Sequence, residues 1–269
     1  MGDFEFKKKF GQNFLSDELL LEEIVEKAGV SEEDVVIEIG AGKGALTSVL
    51  SRKAKKVFAF EIDLELKKFL QQKFDGTNVE LIFEDVMNIS DEKINELAGE
   101  KFKLVANLPY YVTSPIITRF LQNENLESLT VMVQEEVSDR IIAKEKSKDY
   151  GVLTIICGLF GNAQKVLRVG REKFYPVPNV DSAVVRIDKR TDAFEKEKFL
   201  GVINLAKKAF AMRRKKLSTN LESLGFSKEY LEKLLTEKGF SESVRAEELS
   251  IEDFIWLFET LKNWYFMIN

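Results

Sequence analysis

Apolar residues in the first half of the chain gather in short blocks: DVVIEI at 34–39, VFAFEI at 57–62, VELIF at 79–83, LVA at 104–106 and LTVMV at 129–133. Blocks of this length, rich in β-branched residues, predict strands buried on both faces. Helical stretches separate them, which is the pattern of a parallel sheet with helices on both sides. Ahead of the first block, Ser16-Asp17-Glu18 followed by Leu19, Leu20, Ile24 and Val25 predicts a capped amphipathic helix. The pattern changes after Tyr150. Segments 163–169 and 182–187 read as two further strands that complete the sheet as an antiparallel pair, with the turn-rich FYPVPNVD (174–181) between them. From about Thr191 the periodicity is helical only, over 199–211, 227–238 and 250–261. An α/β domain over 1–190 and a small all-helical domain over 191–269 are therefore expected, with the boundary in 189–198.

Composition narrows the chemistry more than the fold. With 45% hydrophobic and 32% charged residues the chain is an ordinary globular one. The longest apolar run, Val152–Phe160, is far too short to span a bilayer. The opening residues MGDFEFKKKFGQNF lack the apolar core of a signal peptide, so a cytoplasmic protein is expected, without membrane attachment. There is no histidine, which excludes an imidazole base, a Ser-His-Asp triad and the common histidine metal sites. The one cysteine, Cys157, lies inside VLTIICGLF and reads as a small buried hydrophobe. The net charge of −5 leaves room for a local basic patch. Lys207–Lys216 holds six basic residues and no acidic one, and Lys165–Arg190 holds seven basic against three acidic. Helical projection puts Lys207, Lys208, Arg214 and Lys215 on one side, a stripe suited to phosphate contacts, while Arg213 falls on the apolar side, where the helix is expected to break.

The chemistry-bearing motifs fall at the ends of successive predicted strands. The first strand runs into Gly40-Ala41-Gly42-Lys43-Gly44-Ala45, a turn that lets backbone approach a ligand closely. Glu61 follows the second strand about twenty residues later, where a carboxylate can accept from ribose hydroxyls. Asp85 follows the third and can meet the exocyclic amine of a cofactor adenine. The fourth ends in Asn107-Leu108-Pro109-Tyr110. The amine of adenine is a poor nucleophile because its lone pair is delocalised into the ring. The Asn107 amide oxygen and the Leu108 carbonyl can accept its two hydrogens and draw the nitrogen toward tetrahedral geometry. Pro109 fixes the turn, and Tyr110 offers a ring on which the base can stack. Catalysis of that kind is mainly positioning and electrostatics, and needs no metal.

With these segments assembled, the chain resembles the ribosomal RNA adenine dimethyltransferases, of the small-subunit, kasugamycin-resistance type. The resemblance runs from about Lys7 to Leu221. It rests on KFGQNFL at 9–15, EIGAGKGALT at 38–47, EID at 61–63, EDV at 84–86, NLPY at 107–110, FYPVPNVDSAVV at 174–185 and AFAMRRKKL at 209–217. It implies a Rossmann-like class I methyltransferase fold, with a seven-stranded, mostly parallel sheet, and S-adenosyl-L-methionine as cofactor. It implies dimethylation of two adjacent adenosines in a hairpin loop of small-subunit (16S) rRNA, on an immature 30S particle, by a monomer that takes part in small-subunit biogenesis. By the same resemblance GQNFL closes over the cofactor, so Asn13 and Leu15 join Gly40, Gly42, Glu61, Asp85 and Asn107 as cofactor contacts. Phe174 would stack on the target base opposite Tyr110. A large-subunit methyltransferase of the macrolide-resistance type shares the core motifs, but segments 174–185 and 209–217 favour the small-subunit type. A non-catalytic assembly factor is the other alternative, against which the intact NLPY speaks.

Overall fold

The computed structural model describes residues 14–190 and 195–262. In chain order the elements are β1 (Phe14–Leu15), α1 (Glu18–Lys27), β2 (Val35–Ile39), α2 (Ala45–Lys53), β3 (Lys56–Phe60), α3 (Lys67–Lys73), β4 (Val79–Ile82) and α4 (Asp91–Ala98). They continue with β5 (Phe102–Asn107), α5 (Thr113–Phe120), β6 (Leu126–Gln134), α6 (Glu135–Ile141), α7 (Val152–Phe160), β7 (Gly161–Val169), β8 (Phe174–Tyr175) and β9 (Ser182–Lys189). The last four helices are α8 (Lys196–Ala209), α9 (Leu217–Leu221), α10 (Lys228–Glu237) and α11 (Ile251–Leu261).

Seven strands form one sheet in the order β4-β3-β2-β5-β6-β9-β7. Strands β4, β3, β2, β5 and β6 pair in parallel, and β9 runs antiparallel to β6. Every residue of β2 is buried, as its unbroken VVIEI run requires of a strand covered on both faces. The strand order reverses beside β2, since β3 lies on one side of it and β5 on the other. Open α/β sheets hold ligands in the crevice at the carboxyl ends of strands at such a point. Helix α1 begins where its cap predicts: the Asp17 carboxylate accepts from the Leu20 N–H at 3.2 Å. A separate two-stranded pairing joins β1 to β8, antiparallel, with Leu15 opposite Phe174.

The chain divides into two compact units, 1–138 with 162–189, and 139–161 with 190–269. The helical part expected over 191–269 is thus larger than the periodicity indicated, because residues 139–161 belong with it. The cause is non-local. Tyr150 is fully buried and donates its hydroxyl to the Leu249 carbonyl at 2.8 Å. Its ring lies 6.2 Å from Phe210, which stacks on Phe254 at 5.9 Å. The apolar run Val152–Phe160 is α7, and it packs against α8 and α11. Cys157 is completely buried in it, and burial pushes its thiol far above the usual range, as a small hydrophobe's position requires. Among the described residues no helix is long and apolar enough to cross a membrane.

A correction concerns the basic stripe. Helix α8 ends at Ala209, so Lys207 and Lys208 lie in its last turn while Arg214 and Lys215 lie in the turn that follows. Asn220 ends the helix by donating its side-chain amide to the carbonyls of Ala209 (2.6 Å) and Met212 (3.2 Å). All four cations are exposed, as is Arg213.

Candidate active site

The glycine turn between β2 and α2 is held from several directions. Gly40, Gly42 and Gly44 all have positive φ, of 80°, 56° and 70°. The amides of Gly40 and Ala41 donate to the Phe60 carbonyl at 2.8 and 3.0 Å, and Gly44 donates to Ala41 at 2.8 Å. Gly44 has no room for a side chain, because a Cβ there would sit 2.6 Å from the Phe74 ring. Left-handed backbone costs about 1–2 kcal/mol for an alanine, and overpacking adds to that. Gly44→Ala is therefore expected to lower unfolding free energy by about 2 kcal/mol or more. Urea denaturation checks this; an unshifted midpoint would refute it.

Glu61, at the end of β3, is only 4% exposed. One carboxylate oxygen accepts from Gly42 N–H at 2.7 Å, and the other accepts from Ile62 and Asp63 N–H at 2.9 and 2.8 Å. Burial pushes its pKa up, while these three backbone donors pull it down. The carboxylate predicted to face a ligand thus also clamps the glycine turn to the neighbouring strand end. Asp85, after β4, is exposed and accepts from Met87 N–H at 2.9 Å, which shapes the loop that carries it. Arg119 on α5 ties the same loop down by donating to the carbonyls of Val86 and Ile89.

Asn107 closes β5 opposite Met132 of β6. Leu108 N–H donates to the Met132 carbonyl at 3.3 Å, which carries the strand pairing one residue past Asn107. The Pro109 carbonyl accepts from Val112 N–H at 3.2 Å and from the Thr113 hydroxyl at 3.0 Å, so the turn is locked onto α5. A Cβ on Gly40 would meet the Asn107 carbonyl and Pro109 at 3.8 Å, which measures how closely the two motifs approach. Tyr110 is half-buried and its hydroxyl bonds to Ser182 at 3.0 Å, which fixes the ring; burial raises its pKa.

These segments enclose a cavity of ≈ 240 Å³. Of the predicted cofactor contacts, Leu15, Gly40, Gly42, Glu61, Asp85 and Asn107 line it, and so do Leu108, Pro109 and Tyr110. Asn13 lies outside the described residues. Phe174 is the exception. It is 3% exposed, belongs to the core cluster that contains Leu15 and Leu21, and does not line the cavity. The β1–β8 pairing accounts for this, because it seats Phe174 against the residue that does reach the cavity, Leu15. Its neighbour Tyr175 is 66% exposed instead. Lys207, Lys208, Arg214 and Lys215 belong to the other unit.

Four contributors were not singled out from the sequence. Ser182 had a signal, its place in FYPVPNVDSAVV. Tyr111, 57% exposed, lines the cavity beside Tyr110, and the doublet was its only signal. Arg119 acts on backbone carbonyls and had none. Glu38, inside the β2 run, is 1% exposed, lines the cavity, and has one carboxylate oxygen without a partner. Burial raises its pKa to about 8. Hydrogen bonding to Thr47, which faces it, acts in the opposite direction. Exposed turn backbone and the carboxylates of Glu61 and Asp85 at two strand ends suit a ligand that carries both cationic and hydroxyl groups.

A parallel sheet whose glycine turn, glutamate, aspartate and asparagine meet at one carboxyl edge is the arrangement of a class I methyltransferase. Comparison narrows the class. The profile of the ribosomal RNA adenine dimethylase family matches residues 3–263. A protein of Clostridium botulinum (strain Kyoto / Type A2), named ribosomal RNA small subunit methyltransferase A, is 42% identical over 257 residues, 94% of this chain and 92% of its own. The protein of that name from Caldanaerobacter subterraneus subsp. tengcongensis is 42% identical over 254 residues, 92% of this chain and 94% of its own. Among solved structures, a dimethyladenosine transferase from Plasmodium falciparum superimposes with a TM-score of 0.78 at 25% identity, covering 94% of this chain and 98% of that one. The 23S rRNA methyltransferase ErmE gives 0.71 at 27% identity, covering 93% and 100%. The chain belongs to the ribosomal RNA adenine dimethylase family and is a methyltransferase.

Proposed function

We propose that this enzyme transfers methyl groups from S-adenosyl-L-methionine to the exocyclic amines of two adjacent adenosines in small-subunit rRNA, acting as a cytoplasmic monomer on an immature small-subunit particle. The observation that carries the reading is the seating of Asn107-Leu108-Pro109-Tyr110 on the wall of the same cavity as Gly40, Glu61 and Asp85. When bound, the cofactor supplies an already activated methyl group on a sulfonium. The chain's own part is to hold and orient. Glu61 and Asp85 accept from ribose and adenine, with Glu61 lying between Asp85 and the glycine turn in the strand order. Asn107 and the Leu108 carbonyl accept from the target amine, and the Tyr110 ring, fixed by Ser182, gives the flipped base a wall. The small subunit is favoured over the large because the relatives at 42% identity carry the small-subunit name over nearly their whole length, whereas ErmE is 27% identical.

Methyl transfer from labelled cofactor to immature small subunits, with the modified positions located by primer extension, tests this. Paired stops at adjacent adenosines of small-subunit rRNA are the expected result. Label confined to large-subunit rRNA, or none, would overturn it.

The exposed cations Lys207, Lys208, Arg214 and Lys215 are assigned to RNA phosphates. Changing all four to glutamine should weaken RNA binding without regard to sequence. The slope of log affinity against log salt should become shallower by roughly 0.7–0.9 per lost contact. Cofactor affinity should not change. An unaltered salt slope would show that these cations are only solvated, and would move RNA docking to the basic stretch Lys165–Arg190.

A further inference from the structure

Lys73 ends α3, outside every motif, yet its ammonium is bound to the glycine turn. The Nζ donates to the carbonyls of Lys43 at 3.0 Å and Gly44 at 2.8 Å. These are the last two carbonyls before α2 begins. The next residue of the chain, Phe74, supplies the ring that fills the space Gly44 leaves, and the Lys73 ammonium lies 5.3 Å from that ring's centre. One end of α3 therefore meets the turn with both a cation and a ring. Partial desolvation pulls the pKa of the ammonium down, against the attraction of the Glu38 carboxylate when that is ionised.

The effect of such a cation follows from peptide geometry. The Gly44 carbonyl and the Ala45 N–H belong to one trans peptide and point in opposite directions. A cation seated on the carbonyl leaves the N–H facing away from it and makes that N–H a stronger donor. Ala45 opens α2 and lines the cavity. The turn must also hold positive φ at three glycines, the residue type that loses most conformational entropy on folding. Gly42 is fixed from the β3 side by Glu61. The stretch Lys43–Gly44 is fixed from the α3 side by Lys73.

We infer that Lys73 is a positioning residue for the cofactor: by holding the Lys43 and Gly44 carbonyls it keeps the start of α2 set to receive the carboxylate at the cofactor's amino-acid end. This rests on the reading that the cavity takes S-adenosyl-L-methionine. Lys73 does not line the cavity, and its stem is exposed, so its loss leaves the fold in place.

Lys73→Met keeps the stem and removes the donor; Lys73→Arg keeps a cationic donor. Binding of S-adenosylhomocysteine is measured by calorimetry beside that of 5′-methylthioadenosine, which has the nucleoside but no amino-acid end. The expected result for Lys73→Met is a roughly tenfold weaker S-adenosylhomocysteine complex, the weight of one charge-assisted hydrogen bond. Methylthioadenosine binding should stay within about twofold, the ligand-free melting temperature within a few degrees, and Lys73→Arg should recover most of the loss. Unchanged S-adenosylhomocysteine affinity overturns the inference. So does an equal loss for both ligands, which would make Lys73 a brace for the whole cavity. Should the wild-type protein bind neither ligand, the cofactor reading itself fails, and that outcome is distinct from either.

Discussion

Single-turnover methylation by an Asn107→Ala variant is expected to fall about a hundredfold or more, with RNA affinity changed little. An acceptor aimed at an amine hydrogen matters most as the nitrogen becomes tetrahedral, and removing one preorganised group of this kind costs about 10²–10³ in rate. The structure makes the test clean. Asn107 ends β5, and the strand beyond it is held by Leu108 N–H on Met132 and by the Pro109 carbonyl on Val112 and Thr113. None of those bonds uses the Asn107 side chain, so each of them is kept in the truncated protein. The backbone carbonyl of Leu108 also survives, which explains why some activity should remain. Asn107→Asp separates charge from geometry. It keeps an acceptor but brings a further carboxylate toward Glu61 and Asp85. A near wild-type single-turnover rate for Asn107→Ala would mean that another group activates the amine.

What the sequence revealed and what it hid divide by the range of the interaction. The strands were legible because burial on both faces writes itself as a local apolar run, and VVIEI at 35–39 is entirely buried. The start of α1 was legible because a cap lies three residues from what it caps. The site was legible where its residues act from strand ends, since sheet topology brings successive ends together. The end of α8 was not, because it is set by Asn220, eleven residues away. The membership of 139–161 was hidden for the same reason: Tyr150 finds its partner at Leu249. Phe174 shows a further limit. The motif around it marked the right segment, but only the cross-strand partner Leu15 determines that the ring enters the core rather than the cavity. Arg119 and Lys73 were hidden because they bond to backbone carbonyls, which any residue supplies.

Glu61→Ala is expected to weaken cofactor binding about a hundredfold and also to lower stability. Hydrogen bonds to a charged group contribute about 1.5–3 kcal/mol each, and a ribose hydroxyl lost from Glu61 would alone weaken binding tenfold or more. The structure adds a second cost. Alanine leaves the amides of Gly42, Ile62 and Asp63 without their acceptor, and Gly42 belongs to the turn that receives the ligand. Glu61→Gln does not repair this, since one of the two oxygens becomes an NH₂ that must face a backbone donor. The wild-type protein carries a pH signature of the same carboxylate. Burial raises its folded-state pKa above the unfolded value, so its contribution to stability is greatest at low pH and declines as pH rises through the raised pKa. Binding runs the other way, because only the ionised carboxylate accepts from both turn and ribose. Cofactor affinity should therefore fall on acidification, beginning at a higher pH than an exposed glutamate would set. In Glu61→Gln that part of the dependence should be lost. Calorimetric titration of both proteins from neutral to acidic pH measures it, and parallel curves for the two would remove Glu61 from the binding site.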